Sequence, residues 1–337
     1  MIEGFNSLME LLDYFDSEEK CIKHAQEKRW GDHITCPHCQ HDKIYTFSDG
    51  RRFKCAKCRK QFTVCIGTMF EDSKVPLRKW FTAIYLLTSH KKGISSYQLA
   101  KDIGVRQRTA WFLMQRIRHQ FGIDDPANGK QLDGRIEADE TFVGGKNKNR
   151  HWDKKVKNSQ GRSFKDKTPV LGLLQEQITE TIERPGKVIP DKIVKEKIIH
   201  SHSIIKCKIS ATTSEQNLFQ HTTKHTAKNA TFISDEWGGY GFAHLYYNHI
   251  IIDHSRGQYV TPDGDTTNAL EGAWQQLKLS ITGIYHKVSR KHLQRYVDEF
   301  TFRYNTRHMR EDERVNHVLS LNGGSLKYRD LIKNGNG

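Results

Sequence analysis

Residues 136–143, Ile136-Glu137-Ala138-Asp139-Glu140-Thr141-Phe142-Val143, read as a strand with an acid at its middle. Acids are disfavoured in strand interiors, so Asp139 calls for a reason other than folding. Further along, Asp235 closes the apolar run Ala230-Thr231-Phe232-Ile233-Ser234. Strand ends of that kind are where ligand sites form in α/β sheets. Glu271 falls near the start of a helical run over 268–281. Carboxylates from two strands and a helix could hold two divalent ions that activate an attacking oxygen and stabilise the leaving one, and a phosphodiester is the natural substrate for such a pair. Singly, each acid has a plain explanation, as a solvated edge aspartate or a first-turn glutamate favoured by the helix dipole. The order strand acid, strand acid, helix acid is what points to chemistry.

Around these acids the chain from Arg135 onward has a mixed α/β pattern. Strands are expected over 135–143, 169–174, 187–189, 204–209, 230–235 and 249–253, and helices over 214–225, 268–281 and 290–305. Residues 146–168 are almost purely polar and basic, and are expected to form a mobile loop that is either solvated or touches DNA. Residues 175–203 look like an insertion between strands. On the helix, Lys278 follows Glu271 by seven residues, close to two turns, so both share a face roughly 10 Å apart along the axis. Lys278 would hold a DNA phosphate there, or is a solvated helix lysine. Asn268 stands three residues before Glu271, near the same face, so geometry alone does not exclude it as a ligand. Charge favours Glu271, because a carboxylate offsets a divalent cation and an amide oxygen does not. Trp274, His249 and His254 read as structural residues.

Toward the N-terminus, Cys36-Pro37-His38-Cys39 and Cys55-Ala56-Lys57-Cys58 are separated by 15 residues. Two such knuckles aim four thiolates at one point and make a closed tetrahedral Zn²⁺ site; a redox CxxC is the alternative. Cys65 lies just past the second knuckle and reads as core, while Cys21 and Cys207 read as buried and inert. Segment 94–118 has a capping serine at Ser95 or Ser96, a small Ala100, a turn at Gly104, and Ala110, Leu113 and Ile117 facing inward. This is expected to be a helix-turn-helix whose second helix lies in a major groove. Arg106, Gln107, Arg108 and Thr109 would then reach base edges and phosphates. An ordinary αα-hairpin would share the pattern.

Charge agrees with a polyanionic partner. Fifty-four Lys and Arg against 39 Asp and Glu give +15, and the pI is near 9.4. Nucleic acid is the commonest reason for such a surplus. A membrane surface would also fit the charge, but no apolar run approaches the ~18 residues of a span. The chain is expected to be soluble and cytoplasmic, associated with the nucleoid through DNA.

Asp139-Glu140-Thr141 followed by Gly144-Gly145-Lys146 resembles the opening of the catalytic domain in a group of bacterial insertion-sequence transposases, the ISXO-like group, which also carries a CPxC zinc ribbon and a helix-turn-helix. Similar stretches are Lys167-Thr168-Pro169-Val170-Leu171-Gly172, Ser234-Asp235-Glu236-Trp237, Asn268-Ala269-Leu270-Glu271-Gly272-Ala273-Trp274, and Glu299-Phe300-Thr301-Phe302-Arg303-Tyr304-Asn305. The likeness runs from about Leu8 to Arg307. It implies a multidomain chain with an N-terminal zinc ribbon and helix-turn-helix, then an α/β RNase H-like domain with a mixed sheet and DDE-type strand-transfer chemistry. Asp139, Asp235 and Glu271 would be the triad with Mg²⁺ (or Mn²⁺), 35 residues separating the last two. Where the group often has His-Thr-Asn, this chain has Thr266-Thr267-Asn268. Some relatives use the Asn in place of the acid. The expected organisation is a helical segment over 1–34, the ribbon over 35–70, the helix-turn-helix over 71–125, the catalytic domain over 130–310, and a tail over 311–337, disordered after Asn322. The implied partners are double-stranded DNA, both element ends and target, and further copies of the chain as a dimer or higher oligomer. The alternatives are a non-catalytic DNA-binding regulator derived from such an enzyme and a zinc-ribbon factor bound to RNA or ribosomes; the second leaves the order of carboxylates unexplained.

Overall fold

Serines start the first helices: Ser7 accepts the Glu10 amide ahead of α1 (Leu8–Tyr14), and Ser17 accepts the Lys20 amide ahead of α2 (Glu18–Trp30). The computed structural model describes residues 4–123, 129–144, 151–157, 166–185, 193–253, 260–261, 266–321 and 323–333. These belong to two units, one of Met1–Asp125, Gly283–His286 and Met309–Gly337, the other of Pro126–Thr282 and Lys287–His308.

In the first unit a small antiparallel sheet, β1 (Ile44–Thr46), β2 (Phe53–Cys55) and β3 (Gln61–Phe62), carries the cysteine knuckles. Its core is little more than Cys36, Phe53, Cys55 and Phe62 against Trp30, too little apolar surface for so short a piece to fold unaided. α3 (Leu77–Ser89) is buried on nearly every side, which makes it the central helix of the unit. The Glu18 carboxylate receives the Leu77 and Arg78 amides at its start, at 2.7 and 3.0 Å. α4 (Ser96–Asp102) and α5 (Gln107–Ile123) follow, with Ser95 as the cap of α4. Gly104 has φ +59°, the left-handed turn that lets the chain reverse between the two helices. Ala110, Leu113 and Ile117 are buried.

The C-terminal residues differ from expectation. Instead of a tail, α10 (Glu311–Ser320) buries Val315 and Val318, and α11 (Tyr328–Ile332) buries Leu331. Past Asn322, the buried Arg116 of α5 donates to the Leu326 carbonyl and the Ser325 hydroxyl, both at 3.0 Å. The anchor is a cation far away in sequence, so local composition does not reveal it.

The second unit is built on five strands in the order β10-β9-β4-β5-β8. These are β4 (Arg135–Gly144), β5 (Lys167–Gln175), β8 (Ile204–Ile209), β9 (Thr231–Asp235) and β10 (Asn248–Ile252). β4, β5 and β8 pair antiparallel, while β4, β9 and β10 run parallel. β5 is buried along its length, as a strand covered on both faces must be. Alternation along β4 sets two environments. Ile136 and Ala138 join a core with Leu171, Leu173, Phe232 and Leu218, the last from α6 (Glu215–His225). Glu137 and Asp139 meet α8 (Asn268–Leu279) instead. α7 (Ala243–Tyr246) precedes β10, and α9 (Arg290–Asn305) packs on β8, where Asn305 exchanges hydrogen bonds with the Ile205 backbone at 2.8 and 3.0 Å.

The stretch expected as an insertion is a hairpin of its own, β6 (Ile178–Pro185) with β7 (Ile193–Ser201), apart from the main sheet. The strand expected over 187–189 lies outside the described residues, as do most of the basic loop and the linker before Gly129. Within the loop, Trp152–Lys154 form a 3-10 turn. The helix expected to reach Ile281 ends its α-helical part at Leu279 and continues as a π-turn over Ser280–Tyr285.

Candidate functional site

β4 and β9 run parallel, with Ala138 opposite Ser234 as the last pair. The next residues, Asp139 and Asp235, therefore stand side by side on neighbouring strands just past their last shared pair, Asp139 still paired to β5 and Asp235 to β10. Asp139 is half-buried and lies opposite Gly172 of β5. A side chain at Gly172 would collide with Trp274, whose ring carbon Cζ2 is 2.3 Å from where a Cβ would stand. The missing side chain lets the indole sit against the sheet, and its Nε1 donates to Asp139 Oδ2 at 3.0 Å. Glu271, exposed in the first turn of α8, stands on the same helix.

The charges interact. Burial, together with the negative charges of Asp235 and Glu271, raises the Asp139 carboxyl to about 6, against the lowering effect of the Glu140 amide and the Trp274 N–H. A carboxyl raised by neighbouring negative charges is relieved by a cation, and oxygen donors suit a hard divalent ion. By this test the residues present fit Mg²⁺. Their oxygens do not all lie within 4.8 Å of one another.

A cavity of about 440 Å³ opens beside them, lined by Asp139, Glu140, Thr141, Glu271, Trp274, Gln275, Lys278, Leu279 and Thr282. Glu271, Gln275, Lys278 and Thr282 recur at helical spacing and so present one face. Lys278 thus shares the cavity with Glu271. Asn268 and Asp235 do not line it. Asn268 is exposed at the first helical position, its amide donating to Thr266 Oγ1 at 3.1 Å. Asp235 Oδ1 accepts the Trp237 amide at 3.1 Å, and its charge reaches Asp139 across the strands.

Two neighbours of the site, Glu137 and Tyr240, and the second part played by Trp274 were not foreseen from the sequence. Glu137, 1% exposed, accepts the Leu270 amide of α8 at 2.7 Å. Burial is the main cause that raises its carboxyl to about 7. Trp274 is core, as expected, yet it also orients Asp139. Tyr240 is buried and hydrogen-bonded to Glu140; burial first, then that carboxylate, raise its pKa well above the usual value. Only the first could have been suspected, as a second acid in the same strand at period two from Asp139. His249 bonds Ser234 Oγ at 3.0 Å, and burial lowers its pKa; His254 lies outside the described residues.

In the first unit, Cys36, Cys39, Cys55 and Cys58 place their sulfurs within 4.8 Å of one another, the one such group of potential ligands among the described residues. Cys36 and Cys58, and Cys39 and Cys55, lie 3.6 Å apart. Cys65 stands outside the group, its thiol pKa raised by burial, and burial pushes Cys21 up to about 12. At the start of α5, Arg106 and Arg108 are exposed and Thr109 is half-buried. Gln107 Nε2 is engaged by Ser96 Oγ at 2.8 Å, so it ties α5 to α4.

Residues 131–305 match the family described as ISXO2-like transposase domain, and residues 16–61 match the transposase zinc-ribbon domain. A relative in Halobacterium salinarum, described as an uncharacterized protein in transposable element ISH50, is 28% identical over 190 residues, covering 54% of this chain and 63% of the relative. The match thus spans under two thirds of that relative's length.

Proposed function

We propose, from the premise that the chain belongs to the ISXO2-like transposase family, that it is a DDE-type transposase. It binds the terminal inverted repeats of an insertion sequence and carries out metal-dependent cleavage and strand transfer on DNA. The observation that carries this reading is geometric: Asp139 and Asp235 stand next to each other on neighbouring strands, and Asp139 shares one cavity with Glu271 and Lys278. The sheet order, three antiparallel strands followed by two parallel ones, supports an RNase H-like catalytic unit.

In this reading Asp139, Asp235 and Glu271 hold Mg²⁺ (or Mn²⁺). The bound ions supply charge stabilisation at the attacking and leaving oxygens of a phosphodiester. Trp274 fixes which Asp139 oxygen faces the cavity, because its N–H occupies Oδ2. Lys278, seven residues beyond Glu271 on the same helix face, offers an ammonium to a DNA phosphate beside the acids. Glu271 is the third acid in preference to Asn268, since a carboxylate offsets the charge of a divalent cation and an amide oxygen does not, and its charge reaches Asp139. The four cysteines hold one structural Zn²⁺ that folds the ribbon. α4 and α5 form a helix-turn-helix, with Arg106 and Arg108 on phosphates or base edges and Thr109 and Gln107 beside them.

The partners are element ends and target DNA. Cutting two ends together calls for a dimer or higher oligomer. No helix among the described residues is long and apolar enough to cross a membrane, which fits a cytoplasmic, nucleoid-associated protein. The direct test is incubation of the purified protein with Mg²⁺ or Mn²⁺ and DNA carrying the sequences that flank its gene. Breaks at fixed positions in those flanks support the reading, and intact DNA under binding conditions contradicts it.

A further inference from the structure

A helix start leaves its first amides without partners inside the helix. At α8 the cap residue Thr267 makes no side-chain capping bond. The need is met from the sheet: Glu137 Oε2 accepts the Leu270 amide at 2.7 Å. Glu137 is 1% exposed and does not line the cavity. A buried acid whose function was only to fill space would be a poor choice beside an apolar residue. As the acceptor of a first-turn amide of α8 it is a good one, because its oxygen meets the Leu270 N–H at 2.7 Å and the helix N-terminus favours negative charge.

The sequence neighbours of the two bonded ends matter most. Asp139 follows Glu137 by two residues and so projects from the same face of β4. Glu271 is the residue after Leu270. Glu137 and Leu270 are 133 positions apart, so no local stretch of chain fixes their distance. We infer that Glu137 is a positioning residue, which sets where Glu271 stands relative to Asp139 by seating the first turn of α8 on β4. The Trp274–Asp139 bond is a second tie, one turn further along the helix. The inference rests on the reading of Asp139 and Glu271 as ligands of a divalent ion.

Mn²⁺ binding to the full-length protein without DNA tests it, together with hydrogen exchange of the segment containing Leu270. Glu137→Ala leaves the buried Leu270 amide unpaired and should weaken Mn²⁺ binding by about tenfold or more while speeding exchange at Leu270. Glu137→Gln keeps an acceptor oxygen and should recover most of the affinity, to within about threefold of the parent. Leu218→Ala, on the opposite face of the sheet, should lower the melting temperature without changing Mn²⁺ affinity. Parent-like Mn²⁺ binding in Glu137→Ala overturns the inference. So does an equal loss of affinity in Leu218→Ala at a matched fall in melting temperature. If Glu137→Ala does not fold, Glu137→Gln and the parent decide: an unprotected Leu270 amide in the parent, or Mn²⁺ affinity lost in Glu137→Gln while Leu270 stays protected, overturns the inference, and protection in both with affinity within about threefold supports it. Asp139→Asn and Glu271→Gln separate the two levels. If both keep parent-like Mn²⁺ affinity, the ion-binding reading fails and takes the inference with it. If they lose affinity and Glu137→Ala does not, that reading stands and only the positioning role is lost.

Discussion

The indole Nε1 of Trp274 donates to Asp139 Oδ2 at 3.0 Å, joining the helix of Glu271 to the strand of Asp139. Hydrogen bonds to a charged group contribute about 1.5–3 kcal/mol, or roughly 10- to 100-fold in a rate that depends on them. Trp274→Phe keeps most of the ring and removes the donor, so single-turnover cleavage should fall by about that factor with the fold retained. Gly172→Ala should act through the same residue, since its new Cβ would displace the indole. Unchanged cleavage in Trp274→Phe would mean that the bond does not matter to the reaction.

The ribbon should contain one Zn²⁺ per chain. Its apolar core is small, and the four sulfurs already surround a common point. Metal analysis of protein purified without added zinc should read near one, and Cys36→Ser with Cys39→Ser should unfold the segment. A ribbon that stays folded without metal contradicts this.

Arg106 and Arg108 are exposed at the start of α5. Each phosphate contact contributes about 0.9 to the slope of log affinity against log salt. The double Ala variant should therefore bind element ends more weakly, with a slope shallower by about two. A weaker complex with an unchanged slope would assign the arginines to something other than phosphates.

His221 gives an acid limit to stability. Burial, helped by the charges of His225, Lys208 and Lys206, lowers its pKa from 6.5 to about 3. Below the ordinary value the unfolded chain binds the proton and the folded chain does not. The contribution is thus intact above about 6.5 and is lost as the pH falls toward about 3. Thermal melts of His221→Leu should show a flatter fall in melting temperature between neutral and acid pH than the parent. Identical profiles would clear His221 of this role.

What the sequence disclosed was governed by local pattern. The run over 204–209 and the helix over 290–305 alternate or recur clearly, and β8 and α9 keep those bounds. The elements bearing Asp139, Asp235 and Glu271 were legible for the same reason. Features made by distant partners were not. Glu137 looks like one more charged residue until Leu270, 133 positions on, comes into contact with it. Leu326 and Leu331 are too sparse to announce a packed C-terminus, which depends on Arg116. Gln107 has a side chain suited to base edges, but Ser96 engages it, a bond no spacing discloses.

The central claim is that Asp139, Asp235 and Glu271 form the cutting centre, and one side-by-side cleavage experiment on DNA carrying the element ends tests it most directly. Asp139→Asn, Asp235→Asn, Glu271→Gln and Asn268→Ala are compared at equal DNA occupancy in Mg²⁺. The first three should each lose at least about 10²–10³-fold in cleavage with DNA affinity nearly unchanged, since they hold charge at the reacting centre and not the DNA itself. Asn268→Ala should lose only part. Cleavage retained in Asp139→Asn or Asp235→Asn, or a greater loss in Asn268→Ala than in Glu271→Gln, would contradict this assignment.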